Sequence, residues 1–150
     1  MPMISPGVAS MKTFSTRIEI QAPVDRIWAV LVDLPRWAQW NSTVERTVGN
    51  IESGAKVTVF VKQSPVRAFP VRVTELEFPH RMVWVGGMPF GLFKGTRVYE
   101  LAPRAAGGAE FRMREEYTGL LAGLIGKSIP DLQPAFGEFA QCLKRAAERS

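Results

Sequence analysis

The chain has 150 residues, 46% of them hydrophobic and 22% charged, with a net charge of +5. That length suits one domain with a single substantial core, and the composition excludes a disordered or fibrous protein. Arginine and lysine are scattered and nowhere form a run of five or six, so the positive charge reads as a solvated surface and no nucleic-acid partner is expected.

Residues 1–12 contain Pro2, Pro6 and Gly7, with neither a basic stretch nor a continuous apolar segment, so a flexible tail is expected ahead of one domain over 13–150. In "TFSTRIEIQ" (13–21), Phe14, Thr16, Ile18 and Ile20 alternate with Arg17, Glu19 and Gln21, the period of a half-buried strand. Pro23 suits the first position of a helix, and Val24, Ile27, Val30, Leu31 and Leu34 recur at three and four. This predicts a helix to about Val32, stopped ahead of Pro35. "DLPRWAQWN" (33–41) then places Trp37 and Trp40 at the break between two short helices.

"TVERTV" (43–48), "AKVTVFVK" (55–62), "FPVRVTELEF" (69–78), "RMVWVGGM" (81–88), "GTRVYELA" (95–102) and "AEFRMREEYTG" (109–119) follow, divided by Gly, Pro and polar turns. They predict a meander of antiparallel strands. From Pro130 the period changes: Leu132, Phe136, Phe139, Leu143 and Ala146 share one helical face, with Asp131 early and Lys144, Arg145 and Arg149 late. The whole predicts an α+β fold, a seven-stranded antiparallel sheet curled around a long C-terminal helix, with two short helices between strands 1 and 2. A wrapped sheet of this kind can enclose a cavity.

A hairpin closed by "RAAGG" (104–108) and symmetric about Ala106 pairs Leu101 with Phe111, Tyr99 with Met113 and Arg97 with Glu115 on one face. The opposite face pairs Glu100 with Arg112, Val98 with Arg114 and Thr96 with Glu116. The Leu101, Tyr99 and Met113 face is the apolar one and is expected inward. Arg97 and Glu115 then become candidate polar groups of a cavity, orienting a ligand or, with Tyr99, serving in proton transfer. The structural alternative is a plain ion pair at the end of the sheet.

"RMVWV" is apolar on both alternating faces, so the pattern alone leaves open whether Met82 and Trp84 or Val83 and Val85 point inward. "TGLLAGLIGKSIP" (118–130) reads equally as a mobile lid, a partner or membrane contact, or a buried connection. Its Leu120–Ile125 stretch is far below the roughly 20 residues of a membrane-spanning helix.

His80 follows Pro79 in an exposed turn and has no Ser or Cys partner at triad spacing. "GGMPFG" (86–91) lacks the dinucleotide fingerprint and a following helix. One Cys (Cys142) and one His cannot build the usual zinc sites, which leaves only a carboxylate-rich site open. No cofactor is expected, and a lone cysteine suits a reducing cytoplasm.

In this order of elements, "IEIQAPVDRIWAVLVDLPRWAQWN" (18–41), "VTELEFPHRMVW" (73–84), "GTRVYEL", "GAEFRMREEYTG" and the closing helix resemble the START-like or SRPBCC superfamily, in particular its polyketide cyclase/dehydrase group. The likeness spans residues 13–148. It implies a helix-grip fold with a hydrophobic ligand cavity under the last helix, and it favours Met82 and Trp84 inward and Trp40 as the buried tryptophan.

The cavity wall is then expected from Val59, Val71 and Val73, from Met82 and Trp84, from Arg97, Tyr99, Phe111, Met113 and Glu115, and from Leu132, Phe136 and Phe139 of the helix side. Three functions remain open: binding of a small hydrophobic or aromatic molecule, a cyclase/dehydratase-type reaction on a polyketide-like substrate with Arg97, Glu115 or Tyr99 as catalytic groups, or action through a partner that meets the apolar 120–129 segment as an exposed patch. The superfamily has no universal catalytic motif to decide among them, and a homodimer is compatible with each.

Overall fold

The computed structural model describes residues 12–62, 68–125, 127 and 129–149. Seven strands form one antiparallel sheet: β1 (Lys12–Ile20), β2 (Val44–Val48), β3 (Lys56–Val61), β4 (Ala68–Glu77), β5 (Arg81–Met88), β6 (Phe93–Pro103) and β7 (Ala109–Thr118). Their order across the sheet is β1-β7-β6-β5-β4-β3-β2, a meander whose first strand has been added beside the last. The sheet curls into a half-barrel whose concave face holds α4 (Gln133–Arg149). The tail expected over 1–12 lies outside the described residues except for Lys12, which already belongs to β1.

Alternation fixes which side of each strand meets the helix. Phe14 and Ile20 of β1, Met82 and Trp84 of β5, Tyr99 and Leu101 of β6, and Phe111 and Met113 of β7 are all buried in one cluster with Phe136, Phe139 and Leu143 of α4. The β6–β7 register pairs Leu101 with Phe111, Tyr99 with Met113 and Arg97 with Glu115, as the hairpin symmetry predicts. The ambiguity of strand five is resolved with Met82 and Trp84 in the core cluster, while Val83 pairs with Val98 on the outer face.

Between β1 and β2 the chain forms α1 (Val24–Val32), a 3-10 turn (Leu34–Arg36) and α2 (Trp37–Trp40). Pro23 stands one residue earlier than the sequence suggests: it is the N-cap of α1, with its carbonyl accepting from the Ile27 amide. Helix α4 likewise starts at Gln133 instead of Pro130, because the Asp131 carboxylate accepts from the Gln133 amide at 3.0 Å and so satisfies a first-turn donor just inside that point.

The expectation that Trp40 is the buried tryptophan is overturned. Trp37 is 1% exposed, and its indole Nε1 donates to the Leu31 carbonyl at 2.9 Å, whereas Trp40 is only half-buried. Pro35 winds the chain into the tighter 3-10 turn immediately before α2, which aims the first residue of that single helical turn into the half-barrel. Trp40, at its far end, lies against the edge of Phe139 and closes the junction from outside.

As the first strand of an open sheet, β1 would expose a row of unpaired backbone groups. Helix α4 covers it with side chains. Gln133 bonds both backbone groups of Ser15, Lys144 Nζ donates to the Glu19 carbonyl at 3.1 Å, and Glu148 accepts from the Gln21 amide at 2.8 Å. No helix among the described residues is long and apolar enough to cross a membrane.

Candidate functional site

The concave face of β5, β6 and β7 carries an aromatic floor. Trp84 stacks on Trp37 at 5.3 Å and meets Tyr99 edge-on at 5.1 Å, while Phe139 of α4 stacks on Phe111 at 6.0 Å and touches Trp37 at 5.2 Å. Tilted and offset contacts of this sort add to the burial of the rings themselves. These rings fill the middle of the space between sheet and helix, and Arg97 and Glu115 stand beyond them toward one end of it.

There the Arg97 guanidinium grips one oxygen of Glu115, with Nη2 at 2.7 Å and Nε at 3.2 Å. The side chains are 25% and 14% exposed, and Arg97 also lies 4.8 Å over the Phe136 ring. Both come from inner strands of the sheet, facing the helix, so the pair is not an edge decoration. Burial works against the Arg97 charge, but the Glu115 carboxylate and Tyr99 together more than offset it and leave the guanidinium harder to deprotonate than usual.

Tyr99 sits one step along β6 on the same face. Burial raises its phenol well above the ordinary range, with the Arg97 charge pulling only partly the other way. The hydroxyl feels that charge yet makes no well-formed hydrogen bond, and the buried Trp84 Nε1 has no acceptor either. Two donors are therefore buried beside the aromatic cluster without an acceptor.

Tyr117, which sequence reasoning missed, stands at the same end of the sheet. It lies opposite Gly95, where a Cβ would stand 3.1 Å from the Tyr117 ring, so the glycine leaves the ring room to lie across the sheet. Phe93 stacks on it at 5.5 Å and Phe14 meets its edge at 6.4 Å. The signal was present: extending the β6–β7 pairing by two residues beyond Arg97 and Glu115 gives an aromatic facing a glycine. Burial raises the Tyr117 phenol, and the nearby Glu115 charge raises it further.

The other expected lining residues divide by position. Val73, Met82, Phe111, Met113, Phe136 and Phe139 are in the core cluster with Val59, while Val71 and Leu132 are half-buried at its margins. Trp37, Val57 and Phe14 belong to the same cluster without having been expected in the cavity wall. Segment 118–130 contributes one short helix, α3 (Ala122–Ile125), with Ala122 buried and Leu120 and Leu124 in solvent; residues 126 and 128 lie outside the described ones. His80 is exposed, as its turn suggests.

Two surface grooves lie elsewhere. One, of about 480 Å³, is on the outside of the sheet between Arg17, Val98, Glu100, Arg112 and Arg114; the other, of about 380 Å³, runs between α1, α2 and α4 beside Trp40.

Tyr99 and Tyr117 are the only tyrosines in the chain. Because the folded protein holds both phenols above their unfolded value of about 10, their contribution to stability is complete below that pH and is lost as pH rises past it. Alkaline titration followed by tyrosinate absorbance is expected to show no free-phenol step near pH 10, only a cooperative rise that coincides with loss of the circular-dichroism signal. A separate non-cooperative step ahead of unfolding would contradict the burial of Tyr99 and the effect of Glu115 on the half-buried Tyr117.

Solved structures share the fold across nearly the whole chain. An aromatase/cyclase from Streptomyces superposes with a TM-score of 0.71 at 12% identity, covering 92% of this chain and 94% of that one. A START superfamily protein from Mycobacterium smegmatis gives 0.67 at 11% identity, with 91% and 97% covered. Truncated norcoclaurine synthase from Thalictrum flavum gives 0.67 at 13% identity, with 99% of each chain covered. Identities this low establish the fold and no activity. No functionally curated protein matches the sequence. Residues 11–148 match the family described as polyketide cyclase/dehydrase and lipid transport, and with its helix-grip half-barrel the chain belongs to that family.

Proposed function

We propose that the protein binds a small, largely apolar molecule with at least one oxygen acceptor, held between the curled sheet and α4 and entered from the Arg97–Glu115 end. The observation that carries this reading is the pair of buried donors without acceptors, Trp84 Nε1 and Tyr99 OH, on an otherwise aromatic surface. Native interiors rarely leave such groups unpartnered, and a ligand carbonyl or ether supplies what the chain does not. Membership of a family that includes lipid transport agrees with a cargo of this kind.

A second reading, a cyclase or dehydratase, is favoured by one further feature. Arg97 holds a fixed positive charge beside a phenol that stays protonated at neutral pH. In that reading Arg97 and Tyr99 polarise a substrate carbonyl as donors, and Tyr99 acts as an acid, not a base.

Native mass spectrometry of the protein purified from its own host tests the first reading. The expected result is a second mass series offset by a small organic molecule that disappears on mild denaturation. A single bare mass from freshly prepared material would falsify it. Returning the released compound to stripped protein separates the two readings: a carrier gives it back unchanged, whereas a dehydratase converts it to a product lighter by one water.

A further inference from the structure

Beyond the Arg97–Glu115 pair, at the end of the sheet, four large apolar side chains stand in solvent. Phe90, in the connection between β5 and β6, is 94% exposed; Met88 precedes it, and Leu120 and Leu124 lie on the segment after β7. The two segments form one tip. The Leu121 amide donates to the Leu92 carbonyl at 2.7 Å, and a Cβ on Gly119 would come within 2.7 Å of the Gly91 and Leu92 carbonyl oxygens.

Among the described residues, no core contact accounts for Phe90. Its φ of +62° is a conformation suited to Gly or Asn, and its ring touches no core residue cluster. We propose that this tip docks the protein on an anionic lipid surface, with Phe90, Leu120 and Leu124 entering the acyl boundary and the exposed Lys94 and Lys127 meeting the headgroups.

Two observations favour lipid over a protein partner. The apolar side chains project from two adjoining connections instead of lining a groove, and lysines stand on both segments. The tip also adjoins the Arg97–Glu115 end of the site: Phe93, at the start of β6, stacks on Tyr117, two residues from Glu115. Docking stands on the tip alone; that it would deliver an apolar ligand straight from the bilayer rests on the proposed function.

The test floats the full-length protein with phosphatidylcholine vesicles, with and without phosphatidylglycerol. The wild type is expected to rise with the vesicles, more strongly with phosphatidylglycerol. Phe90→Asn, which suits the backbone, is expected to lower the partition constant roughly tenfold with no loss of thermal stability. Leu124→Gln, on the other segment, is expected to weaken it as well. Lys94→Glu combined with Lys127→Glu is expected to erase the preference for phosphatidylglycerol.

Wild-type protein that stays below the vesicles, or a Phe90→Asn variant that floats equally, overturns the proposal. So does a concentration-dependent dimer that Phe90→Asn abolishes while no flotation occurs, since the tip then serves a second copy of the chain. Ligand occupancy is scored separately: protein that floats yet carries no compound in the mass spectrum retains the docking surface and loses the ligand reading.

Discussion

Replacing Trp37 by alanine is expected to lower the unfolding free energy by about 3–5 kcal/mol, the range for truncating a large buried aromatic. For a chain of this size that corresponds to a fall in Tm of roughly 10 °C. Trp37 is the hub of the aromatic cluster, in contact with Trp40, Trp84, Tyr99 and Phe139. Its removal opens a void between sheet and helix and leaves the Leu31 carbonyl without its indole donor. Trp40→Ala removes a half-buried ring with contacts only to Trp37 and Phe139 among the aromatics, and is expected to cost about 1–2 kcal/mol. Urea and thermal unfolding followed by circular dichroism give the ranking. A larger loss for Trp40 than for Trp37 would return Trp40 to the role that the family resemblance assigns it.

The two tryptophans also mark where sequence pattern stops being informative. Alternation with a period of two survives folding unchanged, so the β6–β7 register and its inward face could be read before any coordinates, down to Arg97 opposite Glu115. Which tryptophan enters the core depends on a single 3-10 turn, and one tighter turn rotates every later side chain. Strand five needed tertiary context because both its faces are apolar and both are covered: Met82 by the core, and Val83 beside Val98 on the outer face.

The site was legible in part for the same reason. Arg97, Tyr99 and Glu115 follow from register, but whether a donor finds an acceptor is decided by residues far apart in sequence. The unpartnered Trp84 Nε1 and Tyr99 OH could not be inferred, nor could the bond from Gln133 to Ser15, which are 118 positions apart. The two meanings left open for the Arg97–Glu115 pair, structural clamp or ligand contact, now differ in a measurable way.

Arg97→Met is expected to destabilise the protein by about 2–3 kcal/mol, because it strands the Glu115 carboxylate on the inner face without its two guanidinium bonds. The figure stays below that for a fully buried pair because both side chains keep some contact with water. Glu115→Leu is expected to cost less, about 1–2 kcal/mol, since the guanidinium retains the Phe136 face. Combining the two removes both stranded charges, and the double variant is expected to recover to within about 1 kcal/mol of the wild type. Recovery of stability does not restore a fixed donor and acceptor at the position of the pair. If the pair orients a ligand, the double variant folds normally and loses the copurifying compound from its mass spectrum; if it retains that compound at wild-type occupancy, the pair is a clamp between β6 and β7, and recognition falls to Tyr99 and Trp84.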